Sequence, residues 1–150
     1  MKIRNQMRLE LLSCSENVGL ARVAVATFAS GLDFNLSDLE EIKVAVSEAV
    51  SNAIIHGYEG ASTGTVWLMA TLSDDALEIV VEDKGKGIAD LEQAMLPGNG
   101  SDPERLGLGF VFMKSFMDDV DVWTEVNRGT RVKLIKSFPV GDHSGNLREN

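Results

Sequence analysis

The stretch Glu41-Ile42-Lys43-Val44-Ala45-Val46-Ser47-Glu48-Ala49-Val50-Ser51-Asn52-Ala53-Ile54-Ile55-His56-Gly57 decides the fold of this chain. Ile42, Ala45, Val46, Ala49, Val50 and Ala53 recur at helical spacing in one apolar stripe, so the segment reads as an amphipathic helix lying on a core. Its start is expected at Ser37, where Ser37-x-x-Glu40 has the spacing of a capping box, and its end near Gly57. Glu48 and Asn52 stand one turn apart at the margin of the stripe, about 40° apart in projection, so both can look into a cleft beside the core.

Working outward, Met7 to Leu12 alternates and reads as a strand, and Ser13-Cys14-Ser15-Glu16 repeats the capping-box spacing at the start of another helix. Val18, Ala21, Val25 and Phe28 form that helix's apolar side, and Gly31 is its expected stop. On the other flank, Thr65 to Leu72 and Leu77 to Glu82 are rich in β-branched and apolar residues and are joined by Ser73-Asp74-Asp75, which reads as a hairpin. Between Asp83 and Gly109, six glycines and two prolines surround short helical pieces, the composition of a functional loop. A helix from Gly107 to Met117 follows, then strands Val120 to Thr124 and Thr130 to Lys136 around Asn127-Arg128-Gly129. This order predicts an α/β fold, an α+β two-layer sandwich whose mixed sheet carries helices on one face. One domain is expected over residues 1–138, with 139–150 as a frayed, disordered polar tail.

The 150 residues, 44% of them hydrophobic, suffice for one core. The single cysteine, Cys14, has no internal disulfide partner, and Met1 to Leu12 lacks the apolar run of a signal peptide or membrane span, so a cytoplasmic setting is expected. Fourteen Lys and Arg against 23 Asp and Glu give a net charge of −9 with no basic stripe, which argues against direct nucleic-acid binding. Such a chain can still hold an anionic nucleotide, provided that backbone amides, a helix N-terminus, a cation or a metal ion do so locally.

Four short elements have that potential. A carboxylate at Glu48 can accept a proton from an attacking hydroxyl, and an amide oxygen at Asn52 can ligate Mg²⁺; alone, such a pair is more often solvated. Asp83-Lys84-Gly85-Lys86-Gly87-Ile88 sits at a strand end, where a buried carboxylate can accept the exocyclic amine of adenine and Gly85 and Gly87 clear room for the ring; alone it is more often an acidic turn. Gly107-Leu108-Gly109 opens a helix whose free N–H groups suit phosphate oxygens, with Arg105 two residues upstream. Gly129-Thr130 opens the last strand, where a hydroxyl can join the contact to the base. His56, one turn past Asn52, reads as a helix-end histidine. The four elements gain weight in combination, because each lies in the structural context that its role requires.

Taken together these residues resemble the ATP-binding superfamily of gyrase, the ninety-kilodalton heat-shock chaperones, sensor histidine kinases and mismatch-repair ATPases, the Bergerat-type fold. Glu48 to Ala53 resembles its N box, Asp83 to Ile88 its first glycine box and Gly107 to Phe110 its second. Within it, the chain is most similar to the anti-sigma F serine kinases of spore-forming bacteria, through Glu41-Ile42-Lys43, Val46 to Val50, Asn52 to Glu59, Ala21-Arg22-Val23 and Phe116 to Val120. The resemblance implies Glu48 as general base, Asn52 as Mg²⁺ ligand, Asp83 on adenine with Gly85 and Gly87 beside the base, Gly107 and Gly109 under the phosphates, and Thr130 in support. It implies Arg105 as the arginine of an ATP lid and Arg22 as part of a surface that meets a sigma factor. Val18 stands where the family usually has an acidic residue, and the stretch that resembles the lid, Met95 to Pro103, is shorter and richer in glycine than the family's and lacks its frequent threonine and lysine. The implied activity is ATP-dependent serine phosphorylation of a small anti-anti-sigma protein by a homodimer that also sequesters the sigma factor. The competing readings are a nucleotide-gated binding module without phosphotransfer and a general-stress relative. A histidine kinase would need its own phosphoaccepting histidine on a dimerisation helix, which His56 and His143 do not supply.

Overall fold

A computed structural model describes residues 2–96 and 106–138. Strand β1 (Ile3–Leu12) leads into helices α1 (Glu16–Ala29) and α2 (Leu36–Asn52). A π-helical turn, Ala53–Gly57, extends α2 toward the hairpin β2 (Thr65–Ser73) and β3 (Ala76–Asp83). The short α3 (Leu91–Ala94), then α4 (Leu106–Phe116), β4 (Asp119–Glu125) and β5 (Gly129–Ser137) complete the described chain. The expected tail at 139–150 and the lid arginine Arg105 lie outside the described residues.

The five strands form one sheet in the order β1-β2-β3-β5-β4, and every neighbouring pair is antiparallel. This corrects the expectation of a mixed sheet. The return through α4 does make β3 and β4 run the same way, which is what an α-helical crossover suggests. However, β5 folds back from β4 and occupies the place between them, so β3 and β4 never pair. At the other edge, two helices separate β1 from β2, and the three reversals at β1–α1, α1–α2 and α2–β2 leave those strands antiparallel.

Helices and sheet share one apolar core. Alternate residues of the central hairpin, Val66, Leu68, Ala70 and Leu72 on β2 and Leu77, Ile79 and Val81 on β3, point into it. Helix α2 lies between α1 and α4, which is why its stripe Ile42, Ala45, Val46, Ala49 and Val50 is the most continuously buried in the helical layer. The α2 start lies slightly upstream of the expected one. Asn35 Oδ1 accepts the Asp38 N–H at 2.7 Å and Asp38 Oδ2 accepts the Asn35 N–H at 3.2 Å, a capping box built two residues before Ser37. Ser13 does not cap α1: its hydroxyl donates to Ala61 O at 2.5 Å and accepts the Gly64 N–H at 3.0 Å, pinning the end of β1 to the loop before β2.

Candidate functional site

At one end of the sandwich, the core face of the sheet changes from apolar to polar within a single step. Val81, Val132 and Val122 form a cross-strand row on β3, β5 and β4, and the next row on that face is Asp83, Thr130 and Thr124. Asp83 and Thr130 are buried there, at 6% and 8% exposure. The C-terminal end of α2, the π-helical turn and the start of α4 face this row across a narrow cleft. Asn52, His56, Asp83, Gly87 and Thr130 line it, over a floor that includes Phe110.

Burial lifts the Asp83 carboxyl from 3.8 to about 6, against the pull of the backbone N–H groups of Gly85 and Thr130 and with a smaller push from Glu82. The Gly85 N–H donates to Asp83 Oδ1 at 2.8 Å. At neutral pH the group is therefore mainly an ionised acceptor at the polar end of the cleft, suited to an amine.

The glycines of the Asp83–Ile88 loop are required by the approach of the chain to itself. A Cβ at Gly85 would lie 2.1 Å from Gly57 O, and one at Gly87, whose φ is +75°, would lie 2.3 Å from Glu125 O. The loop is thus wedged between the π-helical turn and the end of β4. Hydrogen bonds hold it there: Lys86 N–H to Gly57 O at 2.9 Å, Asn127 N–H to Lys86 O at 2.7 Å and Ile88 N–H to Thr124 Oγ1 at 2.9 Å. Tyr58 adds a further tie, its hydroxyl donating to Thr65 O at 2.6 Å and accepting the Lys84 N–H at 2.8 Å.

Glu48 and Asn52 meet the second glycine pair at the other side of the cleft. A Cβ at Gly109 would lie 3.0 Å from Glu48 Oε1 and 3.3 Å from both Asn52 Nδ2 and Oδ1. Asn52 Nδ2 is buried without a hydrogen-bond partner among the described residues, a costly state for an amide unless a ligand completes it. Gly107 is packed under the chain that follows α3, where a Cβ would lie 2.2 Å from Leu96 O.

Thus Asn52, Asp83, Gly87 and Thr130 line a single cleft, Glu48 and Gly109 adjoin it through Asn52, and Gly85 braces the loop that forms its wall. Arg22 lies elsewhere, donating from its guanidinium to Ser47 Oγ at 3.2 Å and so tying α1 to α2. Sequence reasoning missed Thr124 and Tyr58; His56 stands in the last turn of the helical extension, as expected, and also lines the cleft. The alternation Val120, Val122, Thr124 carried the signal for Thr124, since it places a hydroxyl where the apolar face of β4 stops.

No helix among the described residues is long and apolar enough to cross a membrane. Residues 13–136 match the family described as "Histidine kinase-like ATPase domain", a nucleotide-binding unit. The anti-sigma F factor of Clostridium perfringens (strain SM101 / Type A) is 48% identical over 89% of this chain and 97% of its own length. That of Bacillus subtilis (strain 168) is 45% identical over 89% and 93%. Among solved structures, the RsbU and RsbW domains of Rv1364c from Mycobacterium tuberculosis superpose with a TM-score of 0.64 at 19% identity, covering 89% of this chain and 32% of that one, a likeness of fold. The histidine kinase domain of the Erythrobacter litoralis EL346 blue-light activated kinase gives a TM-score of 0.54 at 20% identity, covering 91% and 65%. The polar end of the sandwich, the sequence boxes that surround it and these relatives agree, and the chain belongs to the anti-sigma F factor family, built on a histidine kinase-like ATPase domain.

Proposed function

We propose that this chain is an ATP-dependent protein serine kinase that also sequesters a sigma factor, and that it phosphorylates and so inactivates a small anti-anti-sigma protein. The observation that carries the reading is the placing of Glu48 beside Asn52, whose buried amide nitrogen has no hydrogen-bond partner among the described residues, where the first turn of α4 leaves space only because residue 109 is glycine. The amide suits Mg²⁺ as well: it offers a hard oxygen, and rotation of the group by half a turn exchanges that oxygen with the unpartnered nitrogen. Mg²⁺, when bound with the nucleotide, neutralises charge on its terminal phosphates. Glu48 takes the proton of the attacking serine, and Asp83, supported by Thr130, accepts the amine of the base beside Gly85 and Gly87. The N–H groups of Gly107 and Gly109 at the α4 start receive phosphate oxygens, and Arg105 belongs to the same role. Sporulation as the setting, the cytoplasm as the location and a homodimer as the working form are parts of the same proposal.

The test is phosphotransfer from γ-labelled Mg-ATP into an extract of the cell that makes the protein, run beside Glu48→Gln. The expected result is phosphoserine on one small protein, reduced at least about 100-fold by the substitution, while ATP affinity stays within a few-fold. ATP binding with no Glu48-dependent label would favour a nucleotide-gated binding module instead.

A further inference from the structure

Thr124 has a part in the cleft that the pairing of Asp83 with adenine does not include. Its Oγ1 has three neighbours: the Ile88 N–H at 2.9 Å, Gly129 O at 3.2 Å and Thr130 Oγ1 at 2.9 Å. An amide N–H can only donate, and a carbonyl oxygen can only accept. All three contacts are hydrogen bonds under one assignment alone. Thr124 accepts from Ile88, gives its single proton to Gly129 O, and receives the proton of Thr130 in its remaining lone pair. Thr130 has then committed its proton away from the cleft and turns only lone pairs toward it. Beside it on the same cross-strand row stands Asp83, whose carboxylate also only accepts once ionised.

We propose that Thr124 is a positioning residue that fixes the Thr130 hydroxyl as an acceptor beside Asp83, so that this edge of the cleft takes a nucleobase presenting an amine and rejects one presenting a carbonyl. The proposal rests on the reading of the cleft as the nucleobase site. A carbonyl oxygen set against these two groups meets lone pairs only. Were the Thr130 hydroxyl free to rotate, it could instead donate to that carbonyl and relax the discrimination. Thr124 also clamps the loop through Ile88, so general loosening of the loop must be separated from loss of hydroxyl orientation. Loosening weakens every nucleotide alike, whereas lost orientation changes the ratio between an amine-bearing and a carbonyl-bearing base.

Affinities for ATP and GTP are to be measured by calorimetry on the unmodified protein, Thr124→Val, Thr124→Ser and Thr124→Cys, with thermal unfolding of each. The valine has the same shape but no hydroxyl, and the expected result is a fall of about tenfold in the ATP-over-GTP preference. Serine restores the preference, and cysteine, a weak hydrogen-bonding group, falls between the two and serves if the valine variant does not fold. In a Thr130→Val background, Thr124→Val changes the ratio no further, because the group through which it acts is gone. An ATP-over-GTP ratio unchanged in the folded valine or cysteine variant, with a selective parent, overturns the role of Thr124 alone. A parent that does not discriminate between the nucleotides overturns the assignment of the cleft to an amine-bearing base as well.

Discussion

Asp83 is destabilising to the free protein in its ionised form, and this follows from the direction of its shift. Its carboxyl is held at about 6 in the folded chain against an ordinary 3.8, chiefly because burial removes it from water. Between those values the native state binds more protons than the unfolded state, so stability falls as pH rises through this window and is level above it. The shift corresponds to roughly 3 kcal/mol in full, of which about 2 kcal/mol is expressed between pH 4 and pH 7. Urea unfolding of the parent and of Asp83→Asn across this range should therefore show the difference between them moving by about 2 kcal/mol in favour of the variant as pH rises. Parallel pH profiles would remove the burial argument. A buried carboxylate kept despite this cost is what a binding site requires, and the same substitution is expected to abolish most of the ATP-over-GTP preference. Asp83 was legible in sequence because a strand of alternating apolar residues ends on a carboxylate followed by two glycines. Thr124 was legible only in part: the alternation along β4 puts a hydroxyl where its apolar face stops, but the register of β4 against β5 that sets it opposite Thr130 is not local.

At the scale of elements, the site is a loop held between a helix end and a strand end. The π-helical turn after Asn52 brings Gly57 against Asp83, where a Cβ would come within 2.9 Å of the carboxylate, and leads directly into Tyr58. The Tyr58 hydroxyl joins the start of β2 to the start of the glycine loop, so Tyr58→Phe removes both bonds and leaves the ring in place. The expected loss is about 1 kcal/mol of stability, read as a lower urea midpoint, because the Lys84 N–H is exposed and can turn to water. ATP and GTP affinities should fall together by a few-fold with their ratio kept. A change of the ratio would mean that Tyr58 touches base recognition directly. The extents of α2 and of both hairpins were readable from apolar periodicity, but the caps were less so. Asn35 and Asp38 form the box with residue types outside the usual Ser/Thr and Glu/Gln template, and Ser13 is drawn away by partners at Ala61 and Gly64 that no local pattern can foresee.

The whole molecule has two ends with different tasks. Helices α2 and α4 run between them: Asn52 and Gly109 stand at the cleft end, and Asp38, Glu41 and Phe116 at the other. The antiparallel sheet brings Thr130 to the first end and Lys136 to the second, a pairing of strand ends that follows from β5 slotting between β3 and β4 and that the sequence order alone left open. Lys136 is 8% exposed. Its Nζ donates to Glu41 Oε1 and to Phe116 O, both at 2.7 Å, with Asp38 Oδ1 at 4.0 Å, so one buried cation joins the sheet to the first turns of α2 and the last turn of α4. Lys136→Met fills much of the same volume but leaves the Phe116 carbonyl and two carboxylates without this partner. Glu41 and Asp38 keep 36% and 32% side-chain exposure and can regain water, which brings the usual cost of breaking a buried pair down to about 2 kcal/mol. An exposed pair such as Arg4 with Asp74, 3.8 Å apart, should lose less than about 0.5 kcal/mol when Arg4 is replaced by alanine. Glu41 and Asn52 are eleven residues apart on α2, about 16 Å along the helix, so the loss at the Lys136 end should leave ATP affinity within twofold. Unfolding in urea together with ATP titration of Lys136→Met checks both parts. A lower midpoint with intact binding means that the far end is a clamp only, whereas a tenfold loss of ATP affinity would mean that α2 and α4 carry the disturbance along their length and that the cleft depends on how the opposite end is tied.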